Sequence, residues 1–346
     1  MTEQLHHVWL ASDDFQWSSF VDSHPEATLF HHPAWSKLLA EAYGYHPLVL
    51  AMKDDSGQIC AGIPMMEINR VLTPRRFVSL PFSDYCAPLG TAGGAIPELI
   101  NCLAGLYQKQ KSSIEIRWPI VATSPCDLCP MFVIHKLTFP KGCDGIIETF
   151  EKKFRQYCRK ADREGLHVVS TGNCVDMDEF YLLHVKTRVK LGVPVQPKRW
   201  FEGINNILIS KGLGSVIIVA DKNNQPVSGA IVLAYNQKAM IKYSASDPAS
   251  LGTRCHYYIF WKCIEWAYNS GMTEIDFGRT DVSDEGLRKF KNGWAAKEVS
   301  LAYFYIGSES RNLSGSAAVR LLRNLIRRSP DVVCRAVGKL FYGYLG

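Results

Sequence analysis

The apolar and polar positions along the chain fall into two series of the same order. Pro33-Ala34-Trp35 opens a segment with apolar side chains at Leu38, Leu39, Ala42 and Tyr43, and Pro197-Lys198-Arg199-Trp200-Phe201 opens another through Ile204, Ile207 and Leu208. Spacings of three and four residues predict a short amphipathic helix at each place. The first is followed by an apolar run at 47–52, a polar turn at Asp54-Asp55-Ser56-Gly57 and a run at 59–63. The second is followed by a run at 215–220, a polar turn at Asp221-Lys222-Asn223-Asn224 and a run at 227–232. Each pair predicts a β-hairpin. The second strand of each holds a glycine, Gly62 and Gly229, which leaves room for a bulge or the close approach of a ligand.

Helical patterns over 97–109 and 257–269 then lead into short charged strands, Ile114-Glu115-Ile116-Arg117 and Glu274-Ile275-Asp276-Phe277. The order of helix, hairpin, strand, helix and strand therefore occurs twice, offset by about 165 residues. It predicts two tandem α+β units, residues 1–145 and 146–305, in which Trp35 matches Trp200, Gly62 matches Gly229 and Glu115 lies where Asp276 lies.

Charge is concentrated at the end of the second series. Ile275-Asp276-Phe277-Gly278-Arg279-Thr280 puts an acid and an arginine around a glycine where a strand gives way to a loop, and Gly286-Leu287-Arg288-Lys289-Phe290-Lys291 adds three cations. Such groups are costly to bury and suit an anionic ligand held by paired donors. A second cationic ridge lies between the units. Phe154, Tyr157, Cys158 and Ala161 recur at helical spacing, while Lys152, Arg155, Arg159, Lys160 and Arg163 take the other positions, a face that attracts phosphates or is simply solvated. A third occupies the C-terminal tail, 306–346, which Pro330 divides into two helices. There Val319, Leu322, Ile326, Val333, Val337 and Leu340 can line one face, with Arg320, Arg323, Arg327, Arg328, Arg335 and Lys339 against a single acid, Asp331. That face either packs on the body or touches anionic lipid as a peripheral contact.

The 346 residues are 47% hydrophobic and 21% charged, an ordinary globular composition with enough apolar mass for two cores. A net charge of only +6 argues against a dedicated nucleic-acid binder, and no DNA partner is expected. No secretion signal opens the chain and no apolar run spans a bilayer, so a cytoplasmic location with mostly reduced thiols among the 11 cysteines is expected. Cys126 and Cys129, with Cys143 and His135 nearby, have half of a zinc-site spacing; no second pair follows, and no metal is assigned. His31 and His32, ahead of the Pro33 helix, are expected at the surface or an interface rather than as ligands.

Three segments together carry a family resemblance: Phe154-Arg155-Gln156-Tyr157-Cys158-Arg159-Lys160-Ala161, the pair of motifs around Asp276 and Lys291, and Ser79-Leu80-Pro81-Phe82-Ser83-Asp84-Tyr85-Cys86-Ala87-Pro88-Leu89. The chain, from about Leu29 to Tyr305, resembles the FemAB-like acyltransferases of the GNAT superfamily, most closely the exosortase-associated subgroup and the peptidoglycan-bridge and cellulose-biosynthesis acetyltransferase relatives. The resemblance implies two acyl-CoA N-acyltransferase-like domains, each a mixed twisted sheet flanked by helices, with the tail returning to the first. It implies transfer of an aminoacyl or acyl group to an amine of a cell-envelope precursor, peptidoglycan or exopolysaccharide. The long helical insertion of some members is not found here.

No tightly bound cofactor is expected; the donor, aminoacyl-tRNA or acyl-CoA, is a co-substrate. A CoA site calls for backbone amides at a glycine-rich turn before a helix. Gly90-Thr91-Ala92-Gly93-Gly94 and Ser250-Leu251-Gly252-Thr253-Arg254 match that only loosely, which ranks CoA below aminoacyl-tRNA. Acyl transfer to an amine needs a base or water path, oxyanion donors and cations for phosphate. By motif position Lys291 takes the electrostatic role, with Asp84 and Asp276 as candidate catalytic carboxylates. Arg279, Lys289, Arg155, Arg159, Tyr85, Tyr243 and Asp247 are candidate substrate contacts, a structural hydrogen bond being the other reading of the last two. Binding of a lipid-linked saccharide without catalysis, and a scaffold role through the 152–163 helix, are the other function classes open at this point.

Overall fold

A computed structural model of the chain describes residues 5–70, 73–91, 94–120, 131–140, 145–171, 174–307 and 317–344. They form two compact units: one of residues 1–133 and 300–311, the other of residues 134–299 and 312–345.

The first unit begins with β1 (His6–Ala11), α1 (Phe15–Ser23) and α2 (Pro33–Tyr43). The His32 ring caps α2 by accepting from the Ala34 amide at 3.1 Å, Pro33 supplies a first-turn residue without an N–H, and Gly44, at φ 66°, ends it. His31 is buried, not at the surface. Its Nδ1 accepts from the Thr28 amide at 3.0 Å and its Nε2 meets the Ala87 carbonyl at 2.8 Å, so it ties the helix entry to the 79–88 loop. There follow β2 (His46–Lys53), β3 (Ile59–Arg70), β4 (Thr73–Val78), β5 (Leu89–Gly90), α3 (Ala95–Gln110) and β6 (Ser113–Ile116).

The second unit contains β7 (Phe132–Thr138), α4 (Lys152–Arg163), β8 (His167–Thr171), α5 (Cys174–Leu191), α6 (Lys198–Gly203) and the hairpin β9 (Gly214–Ala220) and β10 (Pro226–Tyr235). Then come β11 (Lys238–Ser246), α7 (Cys255–Asn269), β12 (Glu274–Asp281), α8 (Glu285–Asn292) and β13 (Lys297–Leu301). The next strand, β14 (Phe304–Ile306), belongs to the first unit, and α9 (Ala317–Arg328) and α10 (Asp331–Phe341) belong to the second.

Strand order runs β1-β2-β3-β4-β6-β14 in one sheet and β8-β9-β10-β11-β12-β7-β13 in the other. In both, three antiparallel pairings are followed by one parallel pairing, β4 with β6 and β11 with β12. The predicted repeat is thus borne out down to its turns. Asp54 Oδ1 accepts from the amides of Ser56 and Gln58 at 2.9 and 3.0 Å, and Asp221 Oδ1 accepts from those of Asn223 and Gln225 at 2.9 and 3.0 Å. These side chains fix the hairpin turn and hence the register. Glu115 and Asp276 each fill the third parallel pair, opposite Val78 and Met240.

The glycines expected to allow a bulge or the approach of a ligand instead face packed side chains. A Cβ on Gly62 would stand 2.6 Å from the Trp17 ring, and one on Gly229 would stand 3.3 Å from the Phe180 ring and 2.9 Å from Ile218. Each lets a helix lie close on the sheet, α1 in the first unit and α5 in the second. Trp35 and Trp200 are fully buried in their units.

The tail corrects one expectation. The α9 and α10 helices pack on α5 within the second unit, not on the first. Ile326 and Cys334 are fully buried, the Cys334 thiol reaches the Val193 carbonyl at 3.4 Å, and a Cβ on Gly338 would collide with the Val195 carbonyl. The docked face of α10 centres on Cys334 and Gly338, with Val333 and Val337 half-buried beside them and Leu340 exposed, because only a residue without a side chain can meet that carbonyl. Among the described residues the first sheet gains from the C-terminal region only β14, and the unit boundaries fall at 133/134 and 299/300 rather than 145/146 and 305/306.

Candidate active site

The second sheet opens between its parallel strands. Pairing of β11 with β12 covers only Lys238 with Glu274, Ala239 with Ile275 and Met240 with Asp276, although β11 continues to Ser246 and β12 to Asp281. At the unpaired end a notch of about 330 Å³ lies among residues 244–246 of β11, the end of α5, the start of α7 and the α8 face of Leu287 and Phe290. Strand ends at such an opening are where α/β sheets bind ligands. Asp247, after β11, caps a short 3₁₀ turn, Pro248–Thr253, by accepting from the Ala249 amide at 2.9 Å. Arg254, at φ 64°, then turns the chain into α7, and its guanidinium lies 4.6 Å from the Tyr157 ring of α4.

Beside the notch the end of β12 is held by two charged side chains. Gly278 has φ 74°, a conformation that disfavours a Cβ. Its N–H donates to Asp276 Oδ1 at 2.7 Å and its carbonyl accepts from Lys291 Nζ at 2.7 Å. Both side chains are buried, Asp276 at 2% and Lys291 at 4% exposure, where a charge must be hydrogen-bonded to be tolerated. The sequence places α8 under Lys291: Asp284 caps the helix by accepting from the Leu287 amide at 3.0 Å, and Phe290 packs edge-on to Phe260 at 4.9 Å.

Three neutral histidines surround this region or support it. His135 on β7 has no exposure and faces Glu298 Oε2 at 3.2 Å; burial, then the charge of Lys291, pushes it down to about 4. Arg288 holds Glu298 in a two-point grip at 2.8 and 3.0 Å, and that pairing keeps the Glu298 carboxyl below its usual range. His256, in the first turn of α7, lines the notch with its Nδ1 buried and without a hydrogen-bond partner; burial, then Arg254 and Lys190, brings it to about 4. His184 of α5 meets Gln196 Oε1 at 3.0 Å and burial lowers it to about 3.

The remaining predicted residues divide. Arg279 and Lys289 are exposed, whereas Lys291 is buried, so the three cations of this segment and strand end do not share one environment. Lys289 and Lys291 lie on the α8 helix, where residues two apart point to opposite sides. Tyr243 faces the α5 and α6 side of the sheet, where its hydroxyl accepts from the buried Trp200 indole N–H at 3.0 Å and its ring packs on Phe201 and His184. Asp247 pairs with Lys186 at 2.6 Å, which holds its carboxyl below the usual range. Both side chains thus have protein partners in this arrangement. Arg155 and Arg159 of α4 reach the same acid, Glu148, Arg159 at 3.5 Å.

Asp84 and Tyr85 lie in the first unit's 79–88 loop. Leu80 and Phe82 there have φ 63° and 61°, and Arg117 Nη1 donates to the Ser83 carbonyl at 2.9 Å. Tyr85 is buried against Phe30 and Trp118, while the Asp84 backbone carbonyl accepts from the Tyr303 hydroxyl at 2.7 Å. The structure groups Lys291 with Asp276 in one unit and Asp84 with Tyr85 in the other. Cys126, Cys129 and Cys143 fall outside the described residues, and among those described no His, Cys, Asp or Glu cluster could hold a metal ion. Sequence reading missed His256 and the Thr187 and Lys190 contribution of α5; a polar residue at the first turn of the helix after β11 was the available signal.

Comparison with known proteins bears on the family and the fold. Residues 149–292 match the family model described as an acetyltransferase (GNAT) domain. The UDP-N-acetylmuramoylpentapeptide-lysine N(6)-alanyltransferase of Weissella viridescens is 21% identical over 148 residues, 42% of this chain and 43% of its own length. The chain thus spans less than half of that curated relative. Among solved structures, FemX superposes with a TM-score of 0.67 at 14% identity, covering 92% of this chain and all of its own. A tandem GNAT protein of the clavulanic acid pathway superposes at 0.55 with 9% identity, over 89% of this chain and 100% of its own.

Proposed function

We propose that the chain, with a GNAT acetyltransferase domain over 149–292 and the fold of FemX, is a FemAB-like acyltransferase that transfers an aminoacyl or acyl group from an activated donor to an amine of a cell-envelope precursor. The observation that carries this is the opening between β11 and β12, with the buried Lys291 next in sequence to the notch residue Phe290. A carbonyl brought to that opening develops negative charge when an amine attacks it, and a fixed ammonium in a site poor in water stabilises such charge. Asp276 keeps the strand end in the shape that Lys291 binds.

The donor carries phosphate, as aminoacyl-tRNA or acyl-CoA. Arg254 at the start of α7 and the cations of α4, stacked through Tyr157, supply a positive surface beside the notch entrance. The alanyltransferase activity of the Weissella viridescens relative favours a peptidoglycan precursor as acceptor over an exopolysaccharide. We place the working protein at an anionic membrane surface facing the cytoplasm. Val332, Ala336 and Leu340 form an exposed stripe on α10 opposite the docked Cys334 and Gly338, with Arg335 and Lys339 beside it. Among the described residues, no helix is long and apolar enough to cross a membrane.

The test is mass spectrometry of a peptidoglycan precursor nucleotide with a free lysine amine, incubated with charged tRNA or acyl-CoA donors. Addition of one acyl mass, lost when Lys291 is replaced by Met, supports the reading. No addition with any donor, together with saturable binding of the precursor, would instead make the chain a binding protein.

A further inference from the structure

The size and lining of the notch bear on what the donor carries. Its walls include Leu191, Leu251, Ile259, Phe260, Leu287 and Phe290, and among the described lining residues there is no carboxylate. A cavity of about 330 Å³ falls in the range of ordinary small-molecule sites. It offers room for roughly ten groups of a water molecule's size, about 30 Å³ each. An alanyl methyl would occupy about one of those places and leave most of the apolar wall without a partner. The charged lining residue is Lys190, exposed at the end of α5, and His256 adds one buried, unpartnered ring nitrogen.

We propose that this notch binds the acyl chain of the donor, an uncharged apolar chain of about eight to ten carbons, with the anionic part of the donor toward Lys190. The proposal rests on the acyltransferase reading of the same site and narrows it from any acyl group to a medium-length apolar one. An acyl group ending in an ammonium meets no carboxylate among the described lining residues and is disfavoured by desolvation.

The probe is a series of N-acetylcysteamine thioesters with acyl chains of two to twelve carbons, titrated into the full chain by calorimetry. Affinity is expected to rise by up to about fourfold per methylene and to level off near ten carbons. Ser244 is exposed at the notch, so Ser244→Trp should fold normally and shift the plateau to shorter chains. Leu287→Glu, at a position 37% exposed, should weaken the long-chain thioesters by more than tenfold and the two-carbon one little. A series flat with chain length, or a plateau that neither substitution moves, overturns the proposal. Alanyl transfer with a flat series leaves the acyltransferase reading standing without the chain pocket; a steep series with no transfer from any donor does the reverse.

Discussion

Lys291, near the end of α8, donates to the carbonyl of Gly278 at the end of β12 over 2.7 Å, so the two elements are tied by a buried ammonium. A buried charge contributes little net stability compared with an apolar side chain of similar size. Lys291→Met leaves the Gly278 carbonyl without this donor, so it should cost about 1–3 kcal/mol of stability yet still fold, while lowering turnover by about 10²-fold or more. Paired thermal melts and acyl-transfer rates check this. Near-normal turnover in the variant would remove Lys291 from the chemistry.

Asp276 and Gly278 make a separate prediction about stability. Asp276→Ala leaves the buried Gly278 N–H without its carboxylate acceptor, at a cost of about 1–3 kcal/mol. Asp276→Asn retains an acceptor oxygen and should recover most of that loss. Denaturant titration of the two variants separates them; equal stability would mean that the carboxylate does not hold the strand end.

Tyr243→Phe should destabilise by about 1–3 kcal/mol, because the fully buried Trp200 indole N–H loses its acceptor. Folded variant protein should keep its KM, since the hydroxyl faces α6 rather than a ligand. A raised KM at unchanged stability would restore Tyr243 as a substrate contact.

Acid should weaken the fold before its carboxylates titrate. His135 and His256 are brought to about 4 and His184 to about 3, from an ordinary 6.5, chiefly by burial. The folded state holds them neutral while the unfolded state takes up protons. Their contribution is complete above about pH 6.5 and is lost as pH falls toward 4 and 3, by up to about 1.4 kcal/mol per pH unit for each group. Urea melts at pH 7 and pH 5 measure the slope, and His184→Leu should flatten it. An unchanged slope in that variant would mean His184 is protonated in the fold.

Arg155→Ala with Arg159→Ala should reduce affinity for a phosphate-bearing donor severalfold more than it reduces stability, since both arginines reach Glu148 from a largely solvated face. Loss of folding with retained binding in the soluble remainder would make α4 a packing element only.

Much of this architecture was legible in the chain. Alternation in 47–63 and 215–232, with an aspartate opening each turn, is enough to specify both hairpins, since the Asx hydrogen bonds are local. The helical nature of 285–292 was not, because its few apolar residues allow a strand-like reading of Phe290 and its neighbours; the Asp284 cap decides the matter. Nor was the docking face of α10, where a collision with the Val195 carbonyl excludes everything but Gly338. The notch itself depends on where parallel pairing stops, a long-range property absent from any local pattern.

Synthesis of the chain meets an ordering problem at β14. Glu115 pairs with Tyr305, so the β6 edge of the first sheet lacks its neighbour until almost the whole second unit has left the ribosome. An exposed strand edge during that interval invites mispairing, and the partner arrives only after a long loop has been closed. Completion of the first unit is thereby timed by the second, and a chain cut between the units would yield a first unit with β6 uncovered.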